Sequence, residues 1–310
     1  MSGLQKFFVW FLGILLVLVA AITVVAGKVY LDVKGSMNET YEEVENKRTD
    51  TGVKRQEELN LSEQQPFSVL LLGVDTGDLG RTEQGRSDTM MLATVNPQNK
   101  ETVITSIPRD TYMEIVGHGT TDKINHAYAF GGPAMSMDSL EKFFNVPIDH
   151  YISINMQGVK DLVDAVGGVD VNNDLEFEYD NHHFTLGPIH LTGEEALAFS
   201  RMRYEDPRGD YGRQKRQRDV VAAVVKKALS LEGVTQYQAV LDAVSANMVT
   251  DLDFGAMQKI ALNYRDAFGK ISNDQIMGEG TMIEGVSYQI VSDEELARVQ
   301  GELKRQLGIE

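Results

Sequence analysis

Phe67–Asp75 reads FSVLLLGVD, a continuous apolar run that ends at a turn-forming aspartate. A strand solvated on one face alternates apolar with polar residues; an unbroken run bounded by turn signals is a strand buried on both faces. Two more strands follow, TMMLATVN (89–96) and ETVITSIP (101–108), joined by the turn PQNK. Beyond them, GGPAMSMDSLEKFFN (131–145) has helical spacing, HYISIN (150–155) reads as a strand, and MQGVKDLVDAVGG (156–168) reads as a helix closed by its glycines. A short strand, GVDVN, comes next. Thr192-Gly-Glu-Glu195 is a capping box that opens the helix EALAFS. Helices are expected over Gln236–Asn247 and Phe254–Phe268, a strand at SYQIV (287–291), and a closing helix at DEELARVQGELKRQL (293–307). Strands alternating with helices predict an α/β domain, with a central, mostly parallel or mixed sheet covered by helices on both faces. There is no internal repeat.

Upstream of Phe67 the chain changes character twice. Phe7–Ala26 carries no charge across twenty residues, FFVWFLGILLVLVAAITVVA. At about 1.5 Å per residue it spans the roughly 30 Å of a bilayer's hydrocarbon core. It is longer than a signal-peptide core and has no small-residue cleavage site after it, so it reads as an uncleaved anchor. Lys6 before the span and Lys28 and Lys34 after it leave the charge rule indecisive. The simpler topology keeps residues 1–6 in the cytoplasm and sends everything C-terminal outside. Residues 27–65 are polar and charged without a sustained apolar stripe, the composition of a stalk, flexible or partly helical, between membrane and domain. The folded domain is expected over 66–310.

Composition narrows the function classes. The 310 residues are 42% hydrophobic and 24% charged, with net charge −17 and pI near 4.8. Such acidity disfavours general binding to nucleic acid or anionic lipid. The chain has no cysteine, which excludes disulfides and thiolate chemistry. None of the six histidines forms a metal-ligand spacing. Neither the G-x-x-x-x-G-K-[ST] phosphate loop nor a G-x-S-x-G elbow is present, against an ATPase or an α/β-hydrolase.

Against this acidic background, Arg201–Arg218 (RMRYEDPRGDYGRQKRQR) holds seven Lys or Arg and three Asp or Glu. A basic island in an acidic chain points to an anionic ligand held in one place. From Arg213 the apolar residues Val220, Val221, Val224, Val225 and Leu229 recur at helical spacing, and Arg213 and Gln217 fall on their side of the helix. That pair is expected to face inward at a helix N-terminus, where backbone N–H groups and the helix dipole favour anions. Lys215, Arg216 and Arg218 are expected to form a solvated flank. Carboxylates and arginines also stand at predicted strand ends, where ligands of open α/β sheets bind. Asp75 follows the first strand, Arg86 and Asp88 sit in GRSD before the second, and Arg109 and Asp110 follow the third. Asp75 and Asp88 are candidates to share Mg²⁺ or a similar hard cation, with Arg109, Arg201, Arg203 and Arg213 on the same phosphates. That set describes phosphoryl transfer, where positioning and charge neutralisation dominate. Taken singly, each residue has an ordinary reading: Asp75 as a turn residue, Arg109 as a surface charge, Arg201 as a helix-end dipole partner.

LLGVDTG, GRSDTMMLATVNP, SIPRDTY, KINHAYAFGG, IDHYISIN, LVDAVGGVDV, LTGEEALAFSRMRYED and GDYGRQKRQRDV, in that order, resemble the LytR-CpsA-Psr family. The likeness covers Phe67 to Leu231 and extends to a family-like C-terminal tail. It implies a membrane-anchored, extracytoplasmic phosphotransferase of the Gram-positive envelope. Such an enzyme moves teichoic acid or capsular polysaccharide from an undecaprenyl-pyrophosphate carrier to the C6 hydroxyl of peptidoglycan N-acetylmuramic acid. It further implies Asp75 and Asp88 at a Mg²⁺ (or Mn²⁺) site, one of them assisting deprotonation of the acceptor. Arg86, Arg109, Arg201, Arg203, Arg213 and Gln217 would bind the pyrophosphate, and Asp210 would orient the arginines. The polyprenyl tail would lie in an apolar groove between sheet and helices, and no nucleic acid is expected as partner. Two other readings use the same residues: a regulator that binds lipid-linked glycan without turnover, and a hydrolase of the pyrophosphate.

Overall fold

A computed structural model describes residues 27–28, 31–51, 53, 55, 57–75, 85–228, 230 and 237–309. The predicted span Phe7–Ala26 lies outside them, and among the described residues no helix is long and apolar enough to cross a membrane.

The strands are β1 (Phe67–Val74), β2 (Ser87–Asn96), β3 (Glu101–Ser106), β4 (Tyr112–Ile115), β5 (Thr120–Lys123), β6 (His150–Asn155), β7 (Val169–Asn173), β8 (Phe177–Tyr179), β9 (His182–Phe184), β10 (Gly187–Leu191), β11 (Met248–Thr250), β12 (Ile271–Gln275), β13 (Glu279–Ile283) and β14 (Val286–Ile290). The helices that matter below are α1 (Asn125–Phe144), α2 (Met156–Ala165), α3 (Gly193–Arg201), α4 (Asp210–Ala228), α5 (Tyr237–Asn247), α6 (Phe254–Asn263) and α7 (Asp293–Leu307). The central sheet has the order β11-β6-β1-β2-β3-β12. β1 runs antiparallel to β2 and parallel to β6, so the sheet is mixed.

β1 is buried on both faces. Leu70, Leu72 and Val74 pack with Leu140 and Phe144 of α1 and Leu303 and Leu307 of α7. Phe67 and Val69 point the other way, against Leu61, Tyr264 and Ala267, and Leu71 packs with Met91, Ile104 and Val221 of α4. The result is helices on both sides of one sheet. A lateral core of Val163, Val166, Phe177, Phe184, Phe199 and Val220 joins α2, α3 and α4 to the small strands β7–β10. α3 begins with the expected capping box, Thr192 and Glu195 satisfying each other's backbone N–H.

The stalk reading of 27–65 needs correction. Residues 31–40 are helical, and their Met37 is buried against Leu241 and Val244 of α5. The following segment is bound to the domain. Arg48 Nε donates to Asp138 Oδ1 at 2.8 Å, and its other nitrogens reach Glu141 Oε2 at 2.5 Å and the Ile148 carbonyl at 3.2 Å. Arg55 forms a two-pronged pair with Asp149 at 2.5 and 2.7 Å. Docking through arginine–carboxylate forks leaves no apolar periodicity, so the composition reads as linker. The small strands β4, β5 and β8–β13 were likewise silent, because each is only three to five residues long, too short to show a period.

Candidate active site

Asp75 directly follows β1 and Asp88 is the second residue of β2, the adjacent antiparallel strand, so both stand at one end of the sheet. Gly73 pairs with Thr89, but Val74 pairs with Ser87. Asp88 is therefore the extra residue of a β-bulge, a device that re-aims a side chain. Gly73 is needed there: a Cβ at this position would lie 2.9 Å from Thr89 Cβ. Asp75 closes the connection to β2 through Arg86, whose N–H donates to Asp75 Oδ1 at 2.7 Å and whose carbonyl accepts from Asp75 N at 3.3 Å. The Arg86 side chain is exposed.

The third strand end brings Arg109. Its Nη1 lies 2.8 Å from Asp88 Oδ1, and its Nε lies 3.9 Å from Asp110 Oδ2. Burial works against the Arg109 charge, but Asp88 and Asp110 outweigh it and raise the guanidinium pKa. Opposite stands the N-terminus of α4. Arg213 Nη2 lies 2.6 Å from Asp210 Oδ1, Arg203 Nε approaches the same oxygen at 3.7 Å, and Gln214 Nε2 donates to Asp210 Oδ2 at 2.7 Å. Arg213 is 9% exposed. Burial lowers its pKa most, Asp210 opposes this, and the nearby cations Arg109 and Arg203 add to the lowering. Arginine stays charged through such shifts, so the physical content is repulsion among clustered cations that an anion would relieve. The Nε atoms of Arg109 and Arg213 are buried without a hydrogen-bond partner among the described residues. Their donor capacity is left unmet by the described residues.

Part of this cluster lines an apolar cavity of about 490 Å³. Its wall includes Asp75, Asp88, Arg201, Arg213 and Gln217 together with Leu71, Ile152, Ile154, Val220, Val221, Val224 and Val225. Arg213 and Gln217 thus lie on the inward face of α4 with the valines, where the helical phase puts them. Arg201 ends α3, and Arg203 follows it in the connection to α4, half exposed. The structure therefore gathers Asp75, Asp88, Arg109, Arg201, Arg203, Asp210, Arg213 and Gln217; Arg86 is bonded to Asp75 through its backbone.

The solvated flank of α4 is a correction. Arg216 is 1% exposed; its Nη1 lies 2.5 Å from Asp206 Oδ2, its Nε donates to the Phe199 carbonyl at 3.0 Å, and its plane lies over Phe177 and Phe199. Arg218 is 5% exposed and donates to Ser106 Oγ at 2.6 Å. Lys215 is half-buried beside Asp219 and Asp174. α4 is covered on more sides than one apolar stripe implies, because the lateral core wraps it. Asp206, which the sequence reading passed over, holds this arrangement. It pairs with Arg208 and Arg216, and it sits so close to α4 that a Cβ on Gly212 would fall 1.9 Å from its carboxylate. The one local signal was its D-P-R-G turn, where the Asp206 carboxylate accepts from Arg208 N at 2.9 Å.

Carboxylates and arginines thus stand at the edge of an apolar cavity at one end of an α/β sheet. The chain belongs to the LytR_cpsA_psr family, whose model matches residues 29–305. Among curated relatives it is 56% identical over 307 residues, 99% of each chain, to a protein of Enterococcus faecalis named polyisoprenyl-teichoic acid–peptidoglycan teichoic acid transferase TagU. It is also similar to the crystal structure of B. subtilis TagU, at 41% identity with TM-score 0.63, covering 78% of this chain and 97% of that one. A structure of TagT bound to LI-WTA matches with TM-score 0.69 at 30% identity, covering 83% of this chain and 96% of that one.

Proposed function

We propose that this chain is a phosphotransferase that moves teichoic acid from a polyprenyl-pyrophosphate carrier to peptidoglycan, at the C6 hydroxyl of N-acetylmuramic acid. The observation that carries the reading is the apolar cavity opening onto the Asp88–Arg109 and Arg213–Asp210 pairs. One part takes a hydrocarbon tail by desolvation, and the other takes phosphate oxygens through charge-assisted hydrogen bonds. The relatives' names supply the polymer and the acceptor.

In the reaction the acceptor hydroxyl attacks the polymer-side phosphorus. The bridging P–O bond breaks, polyprenyl phosphate leaves, and Asp75 or Asp88 takes the hydroxyl proton. Arg109, Arg201, Arg203 and Arg213 hold the two phosphates and neutralise the charge that builds on the departing one. Gln217, which lines the cavity with the valines, donates where pyrophosphate meets lipid. Asp210 keeps Arg203 and Arg213 aimed. Asp75 and Asp88 project from neighbouring strands into one cavity, which suits Mg²⁺ or Mn²⁺. Such ions take few carboxylates and complete their shell with phosphate oxygens and water, although no group of three acidic or imidazole ligands exists among the described residues. When bound, the ion supplies charge neutralisation at the pyrophosphate. Residues 7–26 would anchor the domain outside the cell membrane beside a lipid-borne substrate, which raises effective concentration.

The test incubates the full-length chain with a short lipid-pyrophosphate glycan, Mg²⁺ and peptidoglycan fragments, and identifies products by mass spectrometry. Linked product is expected. Free phosphorylated glycan would indicate hydrolysis, and tight binding without turnover would indicate a regulator. Arg109→Ala and Asp75→Ala are expected to lower turnover by at least about 10²-fold while remaining folded; full activity in either would overturn the site assignment.

A further inference from the structure

Linked to the arginine cluster, and outside the apolar cavity, lies a row of rings that the transfer reaction does not use. Tyr112 of β4 and Tyr288 of β14 meet edge to face at 4.9 Å. The Tyr288 hydroxyl donates to Asp122 Oδ1 at 3.3 Å, and Asp122 Oδ2 lies 2.6 Å from His126 Nδ1. The His126 ring stands 5.9 Å from Phe130, which is stacked on His118 at 3.9 Å. Phe130 is 45% exposed, and His118 is exposed too. None of these residues lines the apolar cavity.

The row is fastened to the arginine cluster by short links. The Arg109 carbonyl accepts from Asn125 N at 3.2 Å, next to His126. The neighbouring Asp110 is 2.9 Å from Lys123 Nζ, its carbonyl accepts from Gln289 N at 2.8 Å, and Lys123 Nζ lies 5.5 Å over the Tyr288 ring. Thus the Arg109 side chain pairs with Asp88, while its carbonyl and the adjacent Asp110 are bonded to the elements that carry the aromatic row. Rings interleaved with a carboxylate, an ammonium and imidazoles match a sugar chain. A hexosamine has an apolar face that lies on an aromatic ring, and hydroxyls and an amide that need acceptors and donors at the edge.

We infer that the row His118–Phe130–His126–Tyr288–Tyr112, with Asp122 and Lys123, is the subsite for the acceptor, binding an N-acetylhexosamine glycan strand and delivering its hydroxyl to the phosphate held by Arg109. This rests on the transferase reading for the word acceptor; the binding of glycan itself does not.

The test has two independent arms. In the first, isothermal titration measures uncrosslinked, stem-peptide-free peptidoglycan glycan strands binding to the full-length protein in detergent, without donor. Binding is expected, weakened about tenfold or more by Tyr288→Ala and by Phe130→Ala, and changed less than about threefold by Tyr288→Phe, which keeps the ring. In the second, acceptor KM in the transfer assay rises in step with the loss of affinity, while affinity for the lipid-pyrophosphate donor stays put. Glycan binding that is absent, or equal in wild type and both alanine variants, overturns the subsite. Loss of donor rather than acceptor affinity overturns its assignment to the acceptor. Should transfer fail while glycan binding and its ring dependence hold, the subsite stands and the transferase reading falls. Phe130 is exposed, so its variant reports even if Tyr288→Ala fails to fold.

Discussion

Replacing Asp210 by Asn tests whether the arginine cluster is an anion site held open by internal carboxylates. Asp210 is 18% exposed, 2.6 Å from Arg213 and 3.7 Å from Arg203. Asn keeps the shape and can still accept from Gln214, whose Nε2 donates to Asp210 at 2.7 Å, but it removes the negative charge that offsets two cations. Breaking a fully buried pair costs about 3–5 kcal/mol; partial exposure of Arg203 and Asp210 brings this to about 2–3 kcal/mol. For a domain of this size that lowers Tm by about 4–12 °C. An anion should then restore part of the loss. A ligand at a hundred times its Kd stabilises by about 2.7 kcal/mol, and in the variant it meets Arg109, Arg203 and Arg213 without a competing carboxylate on Arg213. Differential scanning fluorimetry with inorganic pyrophosphate should therefore give a larger upward Tm shift for Asp210→Asn than for wild type, by several degrees. Turnover should fall by about 10²-fold, because the guanidinium groups are no longer aimed. An unchanged Tm, or equal pyrophosphate shifts in the two proteins, would refute the reasoning.

Two further perturbations probe the supports of the site. Gly73→Ala puts a Cβ 2.9 Å from Thr89 Cβ and should cost about 1–3 kcal/mol; in a denaturation cycle with Thr89→Gly the two changes should couple by at least about 1 kcal/mol, and simple additivity would show that the bulge is not strained. Burial opposes ionisation of Asp206, but hydrogen bonds from Arg208 and Arg216 outweigh it and hold its pKa down to about 2. A depressed carboxyl contributes stability that is complete above its unfolded pKa near 4 and is lost as pH falls through about 2. Urea titrations of Asp206→Asn should accordingly be flatter than wild type across that window, and an equally steep decline would locate the acid sensitivity elsewhere.

Elements that bury an apolar face were legible from spacing. β1, β2, β3, β6, α2 and α7 lie where the sequence predicts them, because period and turn residues are local properties. So was the inward phase of Arg213 and Gln217 on α4. Arg216 and Arg218 were misread for a related reason: their burial depends on Asp206, Phe177, Phe199 and Ser106, residues that no window along the helix contains. The segment holding Arg48 and Arg55 was misread likewise, since its partners Asp138, Glu141 and Asp149 are far along the chain. Hydrophobic patterning registers desolvation of carbon and says nothing about charges that bring their own partners.

By itself, then, the sequence determined the α/β class, the motif set that the family shares, and the list of charged residues at strand and helix ends. Which of those residues meet was decided only in three dimensions. The bulge that aims Asp88, the pairing of Asp88 with Arg109, and the apolar cavity behind them all join segments distant along the chain, whereas Asp210 and Arg213 are neighbours on one helical turn. Electrostatic and apolar complementarity act over a few ångströms of space, whatever the separation in sequence, so folding was needed to turn a list of charges into a site.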